Sequence, residues 1–111
     1  MVILHARVSI KPEAREQWRS IVARVTGPSQ AEEACHSYRV YQDMDAPNSF
    51  LFVEQWDSLE GLYNHFRTPH FTEFFGALPE VLAEPPDGSV HEVASTMTLD
   101  EALTAGGVSA Q

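Results

Sequence analysis

From Leu4 the chain alternates apolar and polar positions: Leu4, Ala6, Val8 and Ile10 share one side of an extended segment, and His5, Arg7 and Ser9 share the other. A period of two predicts a strand over residues 2–10. The period then lengthens. After Lys11-Pro12 turns the chain, Ala14, Trp18, Ile21, Val22 and Val25 recur at helical spacing, and Gly27-Pro28 is predicted to end that helix. Ser29 and Glu32 stand at capping-box spacing and predict one short extra turn through Ala34. Residues 35–43 read as a second strand, with Cys35, Ser37, Arg39 and Tyr41 on one face and His36, Tyr38, Val40 and Gln42 on the other. The pattern leaves open which face is inward.

Asp45-Ala46-Pro47-Asn48 is dense in turn formers, so strands over 35–43 and 49–56 are predicted to pair as a hairpin. Phe50, Phe52, Glu54 and Trp56 fall on one face of the later strand. Ser58 is suited to cap a short helix whose apolar positions are Leu59, Leu62, Tyr63 and Phe66. Thr68 followed by Pro69 predicts a second cap with proline at the first helical position. The stripe of that helix is Phe71, Phe74, Phe75, Leu78, Val81 and Leu82, with a kink or break at Pro79. Glu84 to Gly88 then reads as a loop, and residues 89–96 as a fourth strand.

Strand, helix, two strands, helices and a last strand make an α+β chain of the ferredoxin-like split βαβ kind, with an antiparallel sheet. Residues 1–97 form one domain, and 98–111 form a tail that is either flexible or an arm to a partner subunit, the first being favoured. Helices cover one sheet face. The face with His5, Arg7 and Ser9 is too polar for a dry core.

The net charge of −9 argues against nucleic acid or an anionic membrane as partner, since both need basic patches. One cysteine, Cys35, excludes an internal disulfide and suits a reducing cytoplasm, where it reads as a packing residue. The N-terminal apolar run is short and broken by His5 and Arg7, and no stretch reaches membrane-spanning length, so a cytoplasmic protein is expected.

Several chemistries have no signal. There is no phosphate loop or dinucleotide fingerprint, and no nucleophile elbow. None of the five histidines forms a zinc spacing, and His65 and His70 straddle the Thr68-Pro69 break, which argues against a shared metal. What remains is an aromatic set with titratable groups: Trp56, Tyr63, Phe66, Phe71, Phe74 and Phe75, with His65, His70 and Tyr38. Such a lining suits a flat apolar ring bearing hydroxyls. An electron-rich phenolate can hand one electron to dioxygen, so the protein need only remove a proton and exclude water, and histidine suits the first task.

EEACHSY at 32–38, EQWDS at 54–58 and the pattern of Leu59, Leu62, His65, Thr68, Pro69 and His70 resemble the antibiotic biosynthesis monooxygenase family, and within it the small bacterial quinol monooxygenases. The resemblance covers roughly residues 2–94. It implies a homodimer whose sheets pack face to face as a dimeric α/β barrel. It also implies a monooxygenase that oxidises a quinol or polycyclic phenol with dioxygen and needs neither cofactor nor metal. His65 matches the family's helix histidine and is the candidate base or hydroxyl-orienting group, or else a contact of the following turn. Trp56 matches a strand-end tryptophan that stacks on substrate or packs the core. Tyr38 either hydrogen-bonds a substrate oxygen or packs, and His70 is either a neutral pocket group or an exposed first-turn residue. Tyr63, Phe66, Phe71, Phe74 and Phe75 complete the expected substrate lining. Glu54 orients a partner or forms an ion pair. Haem-degrading relatives carry an asparagine on the first strand, where this chain has Ala6, and a histidine on a late helix, where it offers only His70 at the start. A proton-transfer isomerase of a small carbonyl compound, and a non-catalytic dimeric module that binds a small molecule, stand as alternatives.

Overall fold

The computed structural model describes residues 1–108. The strands are β1 (Val2–Ser9), β2 (Cys35–Gln42), β3 (Ser49–Trp56) and β4 (Asp87–Glu92); the helices are α1 (Arg15–Gln30), α2 (Leu59–Phe66), α3 (Pro69–Val81) and α4 (Leu99–Ala105), with a 3₁₀ turn at Pro12–Ala14. The sheet is antiparallel in the order β2-β3-β1-β4, the ferredoxin-like arrangement. Register places Val2, Leu4, Ala6 and Val8 beside Trp56, Glu54, Phe52 and Phe50, and sets Tyr38 and Val40 beside Glu54 and Phe52. This settles the face of β2 that the alternation left open: Tyr38 and Val40 join the helix-covered side. Trp18, Ile21 and Val25 of α1 and Phe74, Leu78 and Val81 of α3 close over it. Phe52 meets the Trp18 and Phe74 rings at centroid distances of 6.0 and 5.5 Å. Burying six such side chains is worth on the order of 10 kcal/mol before the cost of chain ordering.

Five boundaries differ from the sequence pattern. Helix α1 does not stop at Gly27-Pro28 but runs through both to Gln30. Pro28 removes one backbone bond, but the flanking hydroxyls bond back into the helix, Thr26 Oγ1 donating to the Val22 carbonyl at 2.7 Å and Ser29 Oγ to the Val25 carbonyl at 2.6 Å. Ser29 is therefore a fully buried α1 residue and caps nothing. Helix α3 likewise passes Pro79 and ends two residues later at Val81, so the lost bond falls in its last turn. Strand β4 starts at Asp87, inside the expected loop, because Gly88 lies directly over β1; a Cβ there would stand 2.3 Å from the His5 carbonyl oxygen. It ends at Glu92, short of the expected 96. Residues 98–105, expected as tail, open with a capping box between Thr98 and Glu101 and form α4. The last part of that tail, 109–111, lies outside the described residues.

The opposite sheet face carries Ile3, His5 and Arg7 of β1, Leu51 and Val53 of β3, and Arg39 and Tyr41 of β2. His5, Arg7, Arg39 and Tyr41 on this face are exposed. No described helix is long and apolar enough to cross a membrane.

Candidate active site

Two capped helix starts set the site. Ser58 Oγ accepts from the Gly61 N–H at 3.1 Å, and Thr68 Oγ1 accepts from the Phe71 N–H at 3.2 Å. Thr68 also donates to the His65 carbonyl at 2.7 Å, across the two-residue turn Arg67-Thr68 that joins α2 to α3. Gly61 has Ala34 against it, where a Cβ would come within 2.6 Å of the Ala34 Cβ, so α2 lies close on the turn that follows α1. That turn carries Glu32.

Glu32 is the centre of the cluster. Its Oε2 lies 2.6 Å from His65 Nδ1 and 2.7 Å from His70 Nε2, so both imidazoles donate N–H groups to one carboxylate oxygen. The sequence reading placed the two histidines apart across a helix break; the structure corrects this, because the two-residue turn folds both rings back towards residue 32. Sequence reasoning also missed Glu32 itself. Its capping-box spacing offered a complete local explanation, and the one signal pointing further was that Glu32 opens the EEACHSY stretch.

His65 has no solvent exposure. Its ring is held by Trp56 at 4.6 Å, Phe71 at 5.2 Å and Tyr38 at 5.7 Å between centroids. Burial pulls its pKa below the ordinary 6.5, against the hydrogen bond and charge of Glu32, while His70 adds to the depression. With Nδ1–H committed to Glu32, the neutral ring carries a lone pair on Nε2, and this atom is buried without a hydrogen-bond partner among the described residues. An unpaired buried polar atom is costly and so points to use.

Trp56, also fully buried, donates Nε1–H to Glu54 Oε1 at 3.1 Å. Burial raises the Glu54 carboxyl to about 7, with the Trp56 bond opposing and the Glu32 charge adding. Glu54 thus orients Trp56 and forms no ion pair with Arg39. Tyr38 is buried as well; burial and the Glu54 charge push its phenol far above the usual range, so it stays protonated.

Beside this cluster, a cavity of about 390 Å³ opens between sheet and helices, lined by Leu4, Ala6, Val8, Tyr38, Phe52, Phe66, Phe71, Phe74, Phe75, Leu78 and Pro86. The lining is almost wholly apolar. Of the expected site residues, Tyr38, Phe66, Phe71, Phe74 and Phe75 meet here. His65, Trp56 and His70 do not line it. His65 lies behind Tyr38, Phe66 and Phe71, which wall the cavity and touch its ring. Tyr63 is 42% exposed and outside the lining, because its position on α2 turns away from the sheet.

Comparison with known proteins agrees with this architecture. The structure of Rv0793 from Mycobacterium tuberculosis superposes with a TM-score of 0.81 at 26% identity, covering 87% of this chain and 98% of that one. The Bacillus subtilis protein named "Putative monooxygenase YcnE" is 31% identical over 87 residues, 78% of this chain and 92% of the relative. The Escherichia coli protein named "Probable quinol monooxygenase YgiN" is 31% identical over 64 residues, half of this chain and 62% of the relative. The family model described as "Antibiotic biosynthesis monooxygenase" matches residues 1–77, from β1 through most of α3. That match spans Glu32, His65, His70 and the aromatic cavity wall, and the chain belongs to the antibiotic biosynthesis monooxygenase family.

Proposed function

We propose that the protein is a cofactor-independent monooxygenase of a quinol or polycyclic phenol. The observation that carries this reading is the pairing of a buried His65 lone pair, fixed by Glu32, with an apolar aromatic cavity at its back. The phenol ring enters between Phe71, Phe74 and Phe75, and its hydroxyl reaches His65 Nε2 as the Phe71 ring gives way. His65 takes the hydroxyl proton at Nε2, and Glu32 stabilises the imidazolium through Nδ1–H. Trp56 and Tyr38 hold the imidazole in place. The substrate anion passes one electron to dioxygen, the radical pair joins in a C–O bond, and the O–O bond then breaks. One oxygen atom stays on the ring, now a hydroxyquinone, and the other leaves as water with the two hydrogens the quinol gives up. Aromatic walls keep bulk water from the intermediates. The name of the relative YgiN supports a quinol, and the cavity volume of about 390 Å³ supports a ring system larger than a single benzene.

The open sheet face, with Ile3, Leu51, Val53 and Tyr41 among charged neighbours, is covered in this reading by the same face of a second copy, giving a dimeric barrel. The test is incubation with a panel of hydroquinones and anthrone-like phenols under ¹⁸O-labelled dioxygen, with chelator and no added cofactor. One labelled atom per product is expected. Absence of turnover across the panel, or label that enters from water, contradicts the proposal.

A further inference from the structure

We infer that Glu32, His65 and His70 also form a binding site for a divalent transition-metal ion of the zinc or cobalt type, and that its occupation silences His65 as a proton acceptor. The second half rests on the reading above; the first does not. His65 Nδ1, His70 Nε2 and a Glu32 carboxylate oxygen all lie within 4.8 Å of one another. Tetrahedral ligands at about 2.0–2.2 Å from a zinc ion stand roughly 3.3 Å apart, so small adjustments of Glu32 and His70 would seat the ion. Those two side chains are the adjustable ones. Glu32 sits in a turn and His70 in the first turn of α3, both partly exposed, while the buried Trp56 and Tyr38 rings hold His65 in position. Two imidazoles and one carboxylate form a donor set that favours borderline ions over calcium or magnesium. The partly exposed side of Glu32 and His70 leaves a path for the ion and for a water at the fourth position.

Binding would change the imidazole, not only the carboxylate. In the metal-free cluster the His65 proton sits on Nδ1, hydrogen-bonded to Glu32. An ion on Nδ1 takes that position, and the single proton of the neutral ring moves to Nε2. The lone pair that would receive the substrate proton is then gone. Metal occupancy and proton acceptance exclude each other at one ring, and the ion would stand on the Nδ1 side, away from the Nε2 lone pair.

The experiment is titration of the chelator-treated full chain with Co²⁺ or Zn²⁺ alone, followed by calorimetry and by the visible absorbance of tetrahedral Co²⁺. One ion per chain is expected. His70→Gln and Glu32→Gln should each weaken binding at least tenfold. His36→Gln, which removes the other carboxylate-paired histidine at Asp57, should leave affinity unchanged. Absence of binding, or wild-type affinity in both cluster variants, overturns the site. In a parallel oxygen-uptake assay, activity should fall in step with Zn²⁺ occupancy and return with chelator. Uptake that holds or rises at full occupancy overturns the switch. If the wild type oxidises no phenol, the functional reading fails, and the Co²⁺ titration still decides the site.

Discussion

Replacing Glu54 with glutamine should stabilise the protein at pH 8 and do much less at pH 5. The Glu54 carboxyl is 5% exposed, accepts one hydrogen bond from Trp56 and has its pKa raised from 4.5 to about 7, chiefly by burial. Below pH 4.5 the folded and unfolded chains both hold the proton and the group is neutral in its effect. Between 4.5 and about 7 the unfolded chain releases a proton that the folded chain keeps, so stability falls as pH rises. Above about 7 both states are ionised and the penalty levels off. A gap of about 2.5 pH units at about 1.4 kcal/mol each amounts to roughly 3 kcal/mol. Glutamine keeps an oxygen for Trp56 Nε1–H and never ionises. Urea unfolding of wild type and Glu54→Gln, at fixed protein concentration, should show the variant gaining about 2–3 kcal/mol on the wild type between pH 5 and pH 8. Stability curves that run parallel across this range would refute the reasoning, since they would mean that the buried carboxyl titrates as it does in the unfolded chain.

Gly88→Ala should cost about 1–3 kcal/mol in the same unfolding assay, because its Cβ would meet backbone, the His5 carbonyl oxygen at 2.3 Å, which cannot move aside without separating β4 from β1. Glu32→Gln should lower kcat for phenol oxidation by about tenfold to a hundredfold, less than the 10²–10⁴ expected for loss of a base itself. The pH profile of this variant should shift too, since Glu32 is what holds the His65 proton on Nδ1.

Much of the frame was legible because local chemistry and global packing agree in it. Alternation in β1 and β3, the Asp45–Asn48 turn, and the caps at Ser58 and Thr68 each specify what the fold uses. The aromatic residues of α3 were legible as a cavity wall for the same reason, since helical spacing alone sends Phe71, Phe74 and Phe75 toward neighbouring sides. The pattern misled where tertiary contacts outweigh a local rule. Gly27-Pro28 would end an isolated helix, but back-bonding hydroxyls and burial of Ser29 carry α1 onward. Gly88 read as loop because nothing local tells that β1 needs a residue without a side chain beside it. Glu32 was hidden for a related reason. Its partners lie 33 and 38 positions away, and neither spacing nor charge connects them in sequence.

The most direct test of the account is the rate of oxygen uptake by His65→Gln against wild type, on a phenol that the wild type oxidises, with chelator present and autoxidation subtracted. Urea unfolding of the same samples establishes that the variant is folded. The kcat of the variant is expected to fall by a factor of about 10² to 10⁴, because glutamine offers no nitrogen lone pair to take the proton. Uptake within about threefold of the wild type, in a folded variant, would contradict the assignment of His65 as the base.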